Sequence, residues 1–165
     1  MLGSINSKAG KVLNVVLIVL FTLLVVDVFW GVLTRYVLGG QARWSEELAR
    51  LLMVWLALLG AALASREEKH LGLDVLVRQW PADLQQWARV FIHLCVGLFS
   101  LFILTWGGGQ MVLQRFSAGQ MLPSLGISKA WFYMALPVSG ILMVLFSLEL
   151  LAASFKALKE GGEQE

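Results

Sequence analysis

Residues 44–78 read WSEELARLLMVWLALLGAALASREEKHLGLDVLVR, and their order decides the fold. Trp44, Glu46 and Glu47 stand at the mouth of an apolar run, with Arg50 one turn in. The run closes on the charge cluster Arg66, Glu67, Glu68 and Lys69. It lacks the period-two alternation of a strand and is nearly as long as the ~20 residues a helix needs to cross a bilayer. His70 and Asp74 follow at a spacing of four, and Leu73, Leu76, Val77 and Trp80 then recur at helical spacing. The pattern is that of a transmembrane helix with a marked start and finish, followed by a short amphipathic helix lying in the interface.

Composition carries this reading to the rest of the chain. Of 165 residues, 58% are hydrophobic and only 15% charged, with a mean hydropathy of +0.75. Soluble domains are nearer about 25% charged. Four apolar stretches are long enough to span: about 12–33, 47–65, 88–112 and 130–155. Backbone polar groups must be satisfied inside lipid, so these stretches are helices. The predicted fold is an all-α membrane protein, one four-helix domain over residues 1–165, with the interfacial helix between the second and third spans. The first run is far longer than a signal-peptide core and lacks a small-residue cleavage pattern, so it is expected to remain as a span. Cys95 is the single cysteine, which rules out a disulfide within the chain. The net charge of +2, without a basic stripe, gives no case for nucleic acid.

Lys and Arg counts set the orientation. The side with the termini and the middle connection holds eight: Lys8, Lys11, Arg66, Lys69, Arg78, Arg89, Lys156 and Lys159. The other side holds five: Arg35, Arg43, Arg50, Arg115 and Lys129. Both termini are therefore expected in the cytoplasm. Trp30, Trp44, Trp80, Trp87, Trp106 and Trp131 fall near the expected span ends, as interfacial anchors do. Gly107 to Gly109 are expected to interrupt the third span, Gly60-Ala61-Ala62 to let helices pack closely, and Pro137 to kink the fourth span.

Charges within the spans are costly and are usually paired or functional. Asp27 lies about 10 Å below the outer surface at 1.5 Å per residue, and Arg50 lies at similar depth on the second span. A pair between them would join two helices; the other readings are an ion or proton site, or a carboxylate facing a partner subunit. His93 on the third span and Glu149 on the fourth form a second candidate pair, unless Glu149 reaches the interface instead. A haem would need facing histidine ligands on two helices; His70 sits in the charged surface segment and His93 has no obvious counterpart. Neither metal-ligand spacing nor a nucleophile with a base is present, so the chain is not expected to be an enzyme or to hold a cofactor.

The segments WSEELAR, LGAA and REEKHLGLD, together with LPSLGISKAWFYMALPVSG at residues 122–140, resemble the small membrane subunit of tripartite ATP-independent periplasmic (TRAP) transporters. The resemblance implies a scaffold in the bacterial inner membrane that holds the stationary part of a large, elevator-type subunit. That large subunit would carry the substrate and sodium sites, and a periplasmic binding protein would deliver organic acids such as dicarboxylates, sialic acid or other sugar acids. On this sequence the signature falls on Trp44, Glu46, Glu47, Arg50, Gly60, His70, Asp74, Gly126, Tyr133 and Pro137, with structural or interfacial roles. Arg43 and Arg115, on the outer side, become candidate contacts for the binding protein, with contact to lipid headgroups the other reading of each. The competing reading is a self-sufficient small transporter coupled through Asp27.

Overall fold

The computed structural model describes residues 2–40, 42–67 and 82–161. The elements are α1 (Leu2–Val37), α2 (Arg43–Arg66), α3 (Ala82–Phe99), a π-helical segment (Ser100–Gly107), α4 (Gly108–Ser117), α5 (Ala130–Tyr133) and α6 (Ala135–Gly161). They make four helices long and apolar enough to cross a membrane: Ala9–Val37, Arg43–Arg66, Val90–Ser117 and Ala130–Ser154. The all-α, four-span expectation holds, with boundaries shifted by a few residues. The predicted interfacial helix, and with it His70, Asp74 and Trp80, lies outside the described residues.

The third span differs from its expected form. Gly107 and Gly108 keep right-handed helical dihedrals (φ −62, ψ −44 and φ −61, ψ −42), and the helix runs on to Ser117. A break there would leave backbone groups unbonded in lipid. The chain instead widens the helix to i→i+5 bonding across Ser100–Gly107, and Thr105 Oγ1 donates to the Ser100 carbonyl five residues back at 3.0 Å. Trp106, expected at a span end, therefore falls inside the span.

The fourth span is interrupted at Met134, between α5 and α6. Pro137 explains the position: it has no N–H to bond Tyr133, four residues back, and its ring crowds that carbonyl.

The helices stand in a row. α1 packs on α2, α2 on α6, and α6 on α3 and the π segment. Leu13 of α1, Leu59 and Ala62 of α2 and Phe146 of α6 form the core where three helices meet. At the end that carries the termini, the Arg66 guanidinium lies 5.9 Å from the Phe146 ring centroid and covers Gly10, where any Cβ would collide with it.

Lipid tails are as apolar as the helices, so association rests on close packing of small residues. Gly97 approaches Ser147 of α6, Gly108 lies against Leu136 and Pro137, and Gly140 lies against Leu104 and Thr105. Two buried hydroxyls at this seam are satisfied by their own helices: Ser100 Oγ bonds Val96 O at 2.7 Å and Ser139 Oγ bonds Leu136 O at 2.9 Å. A row buries far less than a closed bundle. In the most apolar 18-residue stretch of each span, only 11% to 33% of residues are buried within the chain.

Candidate functional site

The chemistry-bearing side chains gather at the end of the row that carries the 38–42 and 118–129 connections. Glu47, in the first turns of α2, reaches across to the second connection. Its Oε2 accepts the backbone N–H of Ser124 at 3.0 Å and of Leu125 at 3.1 Å. Those two amides open a tight turn closed by Leu122 N to Ile127 O (2.8 Å) and Gly126 N to Leu122 O (2.9 Å). Gly126 has φ +66, a left-handed conformation that a side chain would strain. Glu47 and Gly126, from two separate sequence signatures, thus belong to one clasp.

The rest of the loop is tied down beside it. Arg115 Nη1 donates to Gln120 Oε1 at 3.0 Å, and the Arg115 guanidinium lies 5.4 Å from the Tyr133 ring centroid. Trp55 Nε1 donates to the Trp131 carbonyl at 3.2 Å, joining α2 to α5. Tyr133 lines a cavity of about 350 Å³ with Glu47, Arg50, Pro123, Lys129 and Phe132.

Asp27 is the most isolated charge. It is 5% exposed, and neither carboxylate oxygen has a hydrogen-bond partner among the described residues. Its own carbonyl accepts from Ser45 Oγ at 3.2 Å, which sets Asp27 beside the first turn of α2. The partial positive charge of that helix N-terminus favours an anion there. A cavity of about 370 Å³ opens on one face of the α1–α2 seam, lined by Asp27, Arg35, Tyr36, Ser45, Glu46 and Arg50. A second, of about 300 Å³, opens on the other face between Asp27 and the apolar Trp30, Trp44, Leu48 and Leu52.

The expected Asp27–Arg50 pair is not formed. Arg50 Nη2 lies 3.9 Å from Glu46 Oε2, one turn back on its own helix, with side chains 72% and 50% exposed. Ser45 is level with Asp27 through its bond to the Asp27 carbonyl, so Arg50 starts more than a turn further along α2, and Glu46 is the nearer carboxylate.

Other predicted residues take varied places. His93 is 6% exposed where α3 packs on α6, and Glu149 is half-buried on α6. Arg43 is exposed and Trp44 is 42% exposed. Gly60, expected at a helix crossing, has nothing within 4 Å of where a Cβ would stand, whereas Ala62 is fully buried. Ser45, Trp55 and Gln120 were missed by sequence reasoning; each is a polar group whose partner lies on another element or across a turn, and spacing alone carries no signal for such a bond. Among the described residues no cluster of three or more His, Cys, Asp or Glu side chains could hold a metal ion.

The site therefore consists of interlocked helices and a clasped loop.

Comparison with known proteins agrees. The family described as "Tripartite ATP-independent periplasmic transporters, DctQ component" matches residues 23–157. The sialic acid TRAP transporter small permease protein SiaQ of Vibrio cholerae is 30% identical over 145 residues, covering 84% of this chain and 81% of that protein. The C4-dicarboxylate TRAP transporter small permease protein DctQ of Rhodobacter capsulatus is 35% identical over 102 residues, covering 61% of this chain and 44% of that one. The sialic acid TRAP transporter permease protein SiaT of Haemophilus influenzae is 32% identical over 133 residues; the match takes 78% of this chain but spans only 20% of that much longer protein. The chain is a multi-pass membrane protein and belongs to the DctQ component family of tripartite ATP-independent periplasmic transporters, a family of transporter permease components and not of enzymes.

Proposed function

We propose that the whole chain forms one four-helix domain that is the non-catalytic small subunit of a TRAP transporter, bracing a larger membrane subunit during uptake of an organic acid. The observation that carries this is the open row. In the most apolar 18-residue stretch of each span at most 33% of residues are buried, and the spans leave apolar faces free for a larger body. The SiaT match supports the same reading, since the similar stretch there is one fifth of a longer permease chain. Relatives are named for sialic acid, C4-dicarboxylate and ectoine, so substrate choice varies across chains similar to this one. Selection then lies with the large subunit and the binding protein, and sodium coupling with the large subunit. The Lys and Arg distribution supports an inner-membrane position with both termini in the cytoplasm.

Reconstitution tests this. Proteoliposomes with both membrane subunits, the binding protein and a sodium gradient should take up substrate, and omission of either membrane subunit should reduce uptake to background. Robust uptake by this chain and the binding protein alone would defeat the scaffold reading in favour of the Asp27-coupled small transporter.

Arg43 is the stronger of the two binding-protein contacts, because Arg115 is already engaged by Gln120 and Tyr133. Arg43→Glu should slow association with the binding protein, with an effect that shrinks as salt rises. Arg115→Glu should instead loosen the loop in detergent, with or without the binding protein. Uptake by Arg43→Glu equal to the parent at every binding-protein concentration and ionic strength would remove Arg43 from the docking surface.

A further inference from the structure

We infer that one face of α2, with Asp27 in its seam, is the docking face for a transmembrane helix of the large subunit, and that this helix presents a cationic side chain to Asp27; the inference rests on the scaffold reading above. Three observations converge on this face. Glu46, Arg50, Met53, Ala57, Gly60 and Ala61 recur along α2 at spacings of three and four and so share one side of the helix. The upper part of that side is an exposed ion pair that lines the Asp27 cavity. Its lower part is small and open: Ala57 and Ala61 are exposed, and a Cβ on Gly60 would meet nothing. The other side of the same helix end is closed in tryptophan and leucine, which lipid satisfies.

Lipid does not satisfy the Glu46–Arg50 side. A charged group costs free energy wherever it meets hydrocarbon. Asp27, fixed near the first turn of α2, lines the cavity on this side, and both of its carboxylate oxygens are buried and unbonded. None of the described arginines bonds it: Arg50 pairs with Glu46, and Arg35, which lines the same cavity, makes no hydrogen bond to either oxygen. Charge complementarity therefore calls for a cation from outside the chain, and the small residues below allow a helix to approach closely enough to deliver it.

The test uses the full two-subunit complex, solubilised from membranes and recovered through a tag on the large subunit. Gly60→Leu has room within this chain, so its level in the membrane and its melting in detergent should match the parent. Its recovery with the large subunit should fall at least tenfold. Asp27→Asn, which keeps the shape and removes the anion, should also fall at least tenfold. Leu148→Trp, on an exposed part of α6, serves as the control and should be recovered like the parent. Full recovery of Gly60→Leu would show that this face meets lipid and overturn the docking face; full recovery of Asp27→Asn would overturn the cation. Loss of a self-association of the isolated chain by Gly60→Leu, with recovery unchanged, would assign the face to a second copy and overturn the inference. Failure of the parent chain itself to be recovered with the large subunit would instead defeat the scaffold reading, and the inference with it.

Discussion

Gly140→Ala should be among the most damaging single-methyl substitutions in this protein, and Gly109→Ala, in the same helix layer, should cost nothing by packing. A Cβ on Gly140 would stand 2.6 Å from Thr105 Oγ1, 2.8 Å from Leu104 Cβ and 2.9 Å from the Thr105 backbone nitrogen. The last of these is main chain of the π segment and cannot rotate away. Gly108 is nearly as tight, 2.6 Å from Leu136 Cβ and 3.1 Å from Pro137 Cδ. Gly97 meets only Ser147, its Cβ at 3.4 Å and its Oγ at 3.9 Å, ordinary contacts, and Gly109 meets nothing within 4 Å. Overpacking of this kind costs about 1–3 kcal/mol and sometimes more. In a row of helices the cost concentrates on one seam, because α3 and the π segment are held chiefly by α6. Alanine scanning of the four glycines, read as melting temperature in detergent, should give the order Gly140 and Gly108 well below the parent, Gly97 near it, and Gly109 equal or slightly higher, since alanine is the better helix former. A flat series would mean that α3 and α6 do not cross at these residues.

Much of the fold was legible because bilayer thickness imposes one length on every span. The four apolar runs and the proline break could be read directly from the residues. The π segment could not. Gly107 to Gly109 looked like a weak point because glycine lowers helix propensity, yet only Gly108 of the three is in tight contact with α6. What decides between a break and a widened helix is the neighbour, and the neighbour is set by packing order, which hydropathy does not encode.

The site was legible in its residues and less so in its bonds. Glu47, Tyr133, Gly126 and Arg115 were all marked beforehand, but as separate signatures or as docking groups. Ser124 and Leu125 contribute only backbone amides to Glu47, so no residue type advertises that contact. Asp27 and Arg50 were placed at equal depth by counting inward from expected span ends. The bond from Ser45 to the Asp27 carbonyl corrects that count by setting Asp27 level with the very start of α2.

Glu47→Ala should release the 118–129 loop. The carboxylate holds two backbone amides at 3.0 and 3.1 Å, and hydrogen bonds to a charged group contribute about 1.5–3 kcal/mol each. One amide is solvent-exposed and can bond water after truncation, so the combined loss should be about 2–3 kcal/mol and not the full sum. Glu47→Gln keeps one acceptor oxygen without the charge and should lose roughly half as much. Gly126→Ala strains the same turn from within, by about 1–2 kcal/mol for a left-handed residue. These changes act on one loop, so they should be less than additive when Glu47→Ala and Gly126→Ala are combined. A cysteine placed at Leu125 reports the release: its labelling by a membrane-impermeant reagent should speed up in the order parent, Glu47→Gln, Glu47→Ala. The same order should appear in uptake, because the loop lies on the side from which the binding protein is proposed to dock. Labelling that speeds up while uptake stays at the parent level would confine Glu47 to local stability and detach the clasp from docking. Unchanged labelling in Glu47→Ala would show that the carboxylate does not hold the loop at all.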